Sequence, residues 1–174
     1  MAFFLAQGAH MIFKTPDLLD DNEALVRAGN IRVVAPMFND YGGRQAFCGQ
    51  IVTLKLFEDN SLLRETLGKD GKGKVLVVDG GGSLRCALVG DQLGALAHKN
   101  GWEGIIVYGC VRDSAELKQV DVGMRALNTH PLRSTRKGVG EPGLAVTFGG
   151  VTFTPGEWLY ADEDGVIVAT TALS

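Results

Sequence analysis

With 174 residues, 45% of them hydrophobic, the chain has enough material for one domain whose core closes without disulfide or metal staples. A formal charge of −3 and a pI near 5.6 argue against nucleic acid as the main ligand, since sequence-independent phosphate binding rests on clustered Lys and Arg. Cys48, Cys86 and Cys110 are odd in number and widely spaced, and the histidines form no ligand pattern, which argues against a disulfide framework and a zinc cluster. A reducing cytoplasm is the expected compartment.

Residues 1–14 read as a disordered or tag-like tail, with Met11 a candidate start, and the domain is expected over residues 15–174. The apolar stretch near Phe3 is too short for a secretion signal, and no run approaches the ~20 apolar residues of a membrane span. Ile51 to Phe57 predicts a strand, followed by a short helix capped by Asn60 and stopped at Gly68. Val75 to Asp79 is the unbroken apolar run of a buried parallel strand, and Gly80-Gly81-Gly82-Ser83 turns the chain away from it. Cys86 to Asn100 predicts a helix with Leu88, Leu93, Leu96 and Ala97 on one face; Gly104 to Tyr108 predicts another buried strand, ended by Gly109. The resulting β-α-β unit is expected to cross over right-handedly. Leu144 to Phe148, Val151 to Phe153, Trp158 to Tyr160 and Val166 to Ala169 are short runs between glycine turns, so antiparallel or mixed strands should close the domain. The expected fold is a single-domain α/β/α sandwich with a mixed sheet.

Arg112 and Asp113 follow the Gly104 strand, and ligands of open α/β sheets bind beyond the carboxyl ends of strands. Asp91 sits at a helix start, in Gly90-Asp91-Gln92-Leu93, where backbone N–H groups lack intrahelical partners and can bind an anion. A guanidinium, free amides and two carboxylates at one place suit a 2-oxo acid and a divalent cation. Arg can engage a carboxylate or an enolate, and Mg²⁺ or Mn²⁺ prefers carboxylate oxygens with several waters. The same residues also have structural uses: an Arg-Asp pair can anchor a loop, and an Asp at a helix start favours the macrodipole. Gly80 to Ser83 matches neither GxGxxG nor GxxxxGK[ST] and reads as a supporting turn, while Arg133, Arg136 and Lys137 read as a solvated basic loop.

The stretch from Thr15 to Ala169 resembles the family named for the regulator of ribonuclease activity A, which includes the 4-hydroxy-4-methyl-2-oxoglutarate aldolases. Tyr41-Gly42-Gly43-Arg44, Phe57-Glu58-Asp59-Asn60, Val77 to Ser83, Gly101-Trp102-Glu103-Gly104, Phe148-Gly149-Gly150-Val151 and Tyr160-Ala161-Asp162 carry the resemblance. The aldolase branch is marked by an Asp, twenty intervening residues, Arg-Asp and an acid three positions on, which Asp91, Arg112, Asp113 and Glu116 match. The resemblance implies that the Gly90, Asp91, Gln92 and Leu93 segment and Arg112 bind the 2-oxo acid. It further implies that Asp113 holds the metal directly, with Asp91 and Glu116 acting through water. A swivelling-type fold and a homotrimer or hexamer are implied as well.

Longer aldolases add a carboxyl-terminal acid to a neighbouring subunit's site, whereas this chain stops at Ser174; decarboxylation of oxaloacetate, which needs no such base, is therefore expected to be the easier reaction. The competing reading is a protein-binding regulator that restrains ribonuclease E or an associated helicase, whose members commonly lack the Asp after this Arg. A methyltransferase reading of the buried strand and glycine turn comes third, since no acidic residue ends a suitable second strand at the expected distance.

Overall fold

The computed structural model of the protein describes residues 12–174. Helices α1 (Thr15–Asp21) and α2 (Glu23–Arg27) precede strands β1 (Ile31–Val33) and β2 (Asn39–Asp40). The centre is built from β3 (Phe47–Lys55), α3 (Ser61–Leu67), β4 (Lys74–Asp79), β5 (Ala87–Val89), α4 (Asp91–Lys99), β6 (Gly104–Val111), α5 (Ser114–Leu117) and β7 (Gly123–Thr129). The chain then forms β8 (Glu141–Pro142), β9 (Val146–Phe148), β10 (Val151–Phe153), β11 (Trp158–Ala161) and β12 (Val166–Ala169).

The main sheet runs β1-β12-β11-β3-β4-β6-β7-β2, with β3, β4, β6 and β7 parallel and the flanking strands antiparallel, a mixed sheet as expected. Val75 to Val78 are fully buried, because both faces of β4 are covered. On one face Leu76 and Val78 pack with Leu63 and Leu67 of α3, Leu93 and Ala97 of α4, and Leu117 of α5. On the other, Val75, Val77 and Ile106 pack against Phe148, Val151 and Phe153 of the β9–β10 hairpin. A third cluster seats α1 through Leu18 on Ile31, Tyr160 and Ile167.

Several predicted boundaries move. β3 begins at Phe47, and the Phe47 ring fills the space that a Cβ on Gly104 or Gly123 would occupy, so β6 and β7 both start with glycine. The helix predicted from Cys86 starts only at Asp91: Ala87 to Val89 instead form β5, paired in parallel with the far end of β6. Strand β6 does not stop at Gly109 but runs on to Val111. Asn60 occupies the N-cap position of α3 without capping it; its amide reaches the Leu88 carbonyl at 3.1 Å, and Asp59 Oδ1 accepts from the Ser61 amide instead. Of the expected tail, residues 1–11 lie outside the described residues, while Phe13 meets Tyr160 edge-on at 5.4 Å.

Candidate functional site

The late start of α4 and the long β6 together make the site. Because β5 pairs with the end of β6, the chain leaves both strands side by side, and the Arg112 amide donates to the Val89 carbonyl at 2.9 Å. Gly90 and Asp91 thereby face Arg112 and Asp113 at the carboxyl end of the parallel strands. A Cβ on Gly90 would lie 2.5 Å from Asp113 Oδ2, so glycine is what lets the two segments approach.

Asp113 has φ 54° and ψ 43°, the left-handed region that side chains other than glycine enter at a cost. That conformation brings its carboxylate back to the start of α4, where Oδ2 accepts from the Asp91 amide at 3.3 Å and lies 3.8 Å from Arg112 Nε. The Gln92 amide donates to Asp91 Oδ1 at 2.8 Å, and the Leu93 amide has no acceptor within the helix. The Arg112–Asp113 contact is long and both side chains are more than a third exposed, so it adds little to stability.

A cleft with a volume of about 60 Å³ lies against this rim. Gly90 to Leu93, Arg112 and Asp113 line one side. The other side carries residues not expected to act at the site: Asn60 just before α3, Arg64 of α3, and Arg133, Ser134 and Arg136 from the loop after β7. The loop expected to be merely solvated is stitched to the site. Ala87 donates to the Leu132 carbonyl at 2.7 Å, and Ser134 donates back to the Ala87 carbonyl at 3.1 Å. Thr135 is tied to the Glu58 carbonyl, and the Lys137 amide donates to Asp59 Oδ2 at 2.6 Å. Burial pushes the Asp59 carboxyl up, but the Ser61 amide and hydroxyl and the Lys137 and Val139 amides together outweigh it and hold the group below its ordinary value. The one sequence signal for this role was an arginine pair without acidic neighbours.

Gly80 to Ser83 form a tight turn outside the cleft lining, with Gly81 and Gly82 at φ 67° and 69°. Glu116, in the first turn of α5, is exposed and also lies outside that lining. Among the described residues no group of three or more His, Cys, Asp or Glu side chains forms a metal cage. Asp113 and Asp91 are two carboxylates on one rim, which fits Mg²⁺, a cation commonly bound through one or two carboxylates and retained water. The cleft is far smaller than the ~300–1,000 Å³ of sites for larger organic ligands.

The fold and rim define a small mixed-sheet α/β domain with a helix start and an Arg-Asp pair at its strand ends. Residues 15–168 match the family model described as RraA-like, Aldolase/RraA. A protein of Dechloromonas aromatica (strain RCB), named as a candidate 4-hydroxy-4-methyl-2-oxoglutarate aldolase, is 67% identical over 164 residues, covering 94% of this chain and all of its own. The solved RNA-processing inhibitor RraA of Thermus thermophilis is 41% identical with a TM-score of 0.87, covering 94% of this chain and 96% of its own. A Geobacillus kaustophilus structure named as S-adenosylmethionine:2-dimethylmenaquinone methyltransferase is 43% identical at the same TM-score, covering 92% and 96%. The chain belongs to the RraA-like family. Among the described residues no helix is long and apolar enough to cross a membrane.

Proposed function

We propose that the protein is a divalent-metal-dependent lyase for 2-oxo acids, cleaving 4-hydroxy-4-methyl-2-oxoglutarate to pyruvate and decarboxylating oxaloacetate. The observation that carries this reading is the left-handed Asp113, whose carboxylate is held beside Arg112 and the first amide of α4. The identity to relatives named as aldolases supports it.

In this reading the α4 amides and Arg112 seat the substrate's 2-oxo acid end. A substrate carboxylate competes with Asp91 for the Gln92 amide and frees the Asp91 side chain. Mg²⁺, or Mn²⁺, held directly by Asp113 and through water by Asp91 and Glu116, would supply a Lewis acid that draws electrons from the 2-oxo group. When the C3–C4 bond breaks, its electron pair passes to C3 and negative charge grows on the enolate oxygen. Arg112, fixed at the strand end, donates to that oxygen. Protonation at C3 completes pyruvate. In aldol cleavage the C4 hydroxyl gives up its proton and becomes the carbonyl of a second pyruvate, whereas in decarboxylation C4 leaves as CO₂.

The reading includes a homotrimer or hexamer working in the cytoplasm. A second reading, a regulator that binds ribonuclease E or a helicase, is favoured by one finding, the likeness to the Thermus inhibitor. Pyruvate release from oxaloacetate with Mg²⁺, with and without chelator, tests the lyase. Turnover should require the metal, and undiminished turnover in excess chelator would overturn the mechanism.

A further inference from the structure

The cleft as a whole is more cationic than a single carboxylate requires. Four arginines, Arg64, Arg112, Arg133 and Arg136, line it against two aspartates. Arg64, Arg133 and Arg136 make no ion pair with any described residue, although acidic side chains are plentiful elsewhere on the surface. Between the two loop arginines sits Ser134, only 6% exposed, whose hydroxyl has no hydrogen-bond partner among the described residues. A buried unpaired hydroxyl costs stability unless something else binds it. Its backbone is fixed on Ala87 by the bridge that also fixes Arg133. The unsatisfied groups are thus presented by anchored backbone.

We propose that Arg64, Arg133, Arg136 and the Ser134 hydroxyl form a second carboxylate subsite, which holds the carboxylate on the fragment that departs when the C3–C4 bond breaks. This rests on the lyase reading of the adjoining rim. It has a chemical consequence for the choice of reaction. In aldol cleavage the departing fragment keeps its carboxylate, so the subsite binds ground state and transition state alike. In decarboxylation the held carboxylate must become neutral CO₂, and arginines that favour the anion oppose that change. The subsite therefore selects 2-oxo dicarboxylates and favours aldol cleavage over decarboxylation.

The test uses 2-oxoglutarate, which has the carbon spacing of the aldol substrate but no hydroxyl to be cleaved from, and 2-oxobutanoate, which lacks the second carboxylate. Calorimetry with Mg²⁺ present should show the parent preferring 2-oxoglutarate. Arg133→Ala and Arg136→Ala should each weaken 2-oxoglutarate roughly ten- to a hundredfold, as expected for a lost hydrogen bond to a charged group, and leave 2-oxobutanoate within about twofold. Arg112→Lys, by contrast, should weaken both probes. Ser134→Ala should weaken 2-oxoglutarate without lowering the melting temperature of the free protein, because it removes a hydroxyl that nothing else satisfies. In kinetics the Arg133 and Arg136 variants should raise KM for aldol cleavage with little change in kcat, and raise both KM and kcat for oxaloacetate. Equal losses for both probes, or none, would overturn the subsite. If the parent releases no pyruvate from either substrate yet keeps the selective binding, the lyase reading fails and the subsite stands.

Discussion

At the amino ends of the parallel strands Arg125 is 4% exposed, and each neighbour answers its charge. Nη1 lies 2.8 Å from Asp40 Oδ1, Nη2 donates to the Gln45 and Asp162 carbonyls, and the Phe47 ring is 5.2 Å from Cζ. Arg44, at the same end, pairs with Glu103 and Asp121. At the carboxyl ends, Arg64, Arg133 and Arg136 have no acidic partner among the described residues and Arg112 has a long one. One residue type thus serves two ends of one sheet differently. Where a guanidinium is spent on groups of its own chain it fixes the fold; where it is left unanswered it is available to a ligand.

The sharpest way to break this comparison is at Arg125. Burial lowers its pKa and raises that of Asp40, and their mutual attraction opposes both shifts, so each depends on the other. Arg125→Ala leaves the Gln45 and Asp162 carbonyls without their donor and should cost about 1–3 kcal/mol, read from urea unfolding. Arg133→Ala should stay within about 0.5 kcal/mol, as exposed substitutions do. Similar values for the two would erase the distinction.

The next effect is on turnover. Arg112→Lys keeps the charge but loses the planar fork, so kcat on oxaloacetate should fall by roughly 10² to 10³, with stability unchanged by circular dichroism. A change confined to KM would mean that Arg112 holds substrate and transition state equally.

Asp59 sharpens the comparison from the carboxyl end, because there a buried charge is answered by amides and fixes the arginine loop. Its folded-state pKa lies below the ordinary value, so the stability it contributes is complete above the ordinary Asp pKa of about 3.9 and is lost as pH falls through the lowered one. Asp59→Asn should destabilise the protein by about 1–3 kcal/mol at neutral pH. The gap to the parent should shrink as pH drops below ~4, in urea midpoints taken across that range. A gap independent of pH would show that the charge is not what anchors the loop.

The parts of the fold set by local pattern were legible in the sequence. Val75 to Asp79 could only be a strand buried on both faces, and Asp91, Arg112 and Asp113 do meet beyond the carboxyl end of β6. What was not legible depends on pairing. Ala87 to Val89 have an apolar spacing that also suits a helix, and only the extension of β6 past Gly109 makes them a strand. The same pairing draws Arg133 to Ala87 across a separation of 46 residues, which no local reading of a basic loop could supply. The cleft's second wall was missed for that reason.

The smallest effect is the most diagnostic of what the rim is for. Asp113 stands in a left-handed conformation, yet its carboxylate receives one amide at 3.3 Å and one guanidinium at 3.8 Å, both too weak to repay the strain fully. Glycine adopts that conformation freely but loses more chain entropy on folding, so Asp113→Gly should stabilise the protein by about 0.5–1 kcal/mol. In the same variant, metal-dependent pyruvate release should vanish, because the carboxylate proposed to hold the cation is gone. A stabilised and inactive variant would mean that the strain is retained for the carboxylate's position. A destabilised one would mean that Asp113 anchors the loop, and unfolding curves set beside oxaloacetate turnover separate the two outcomes.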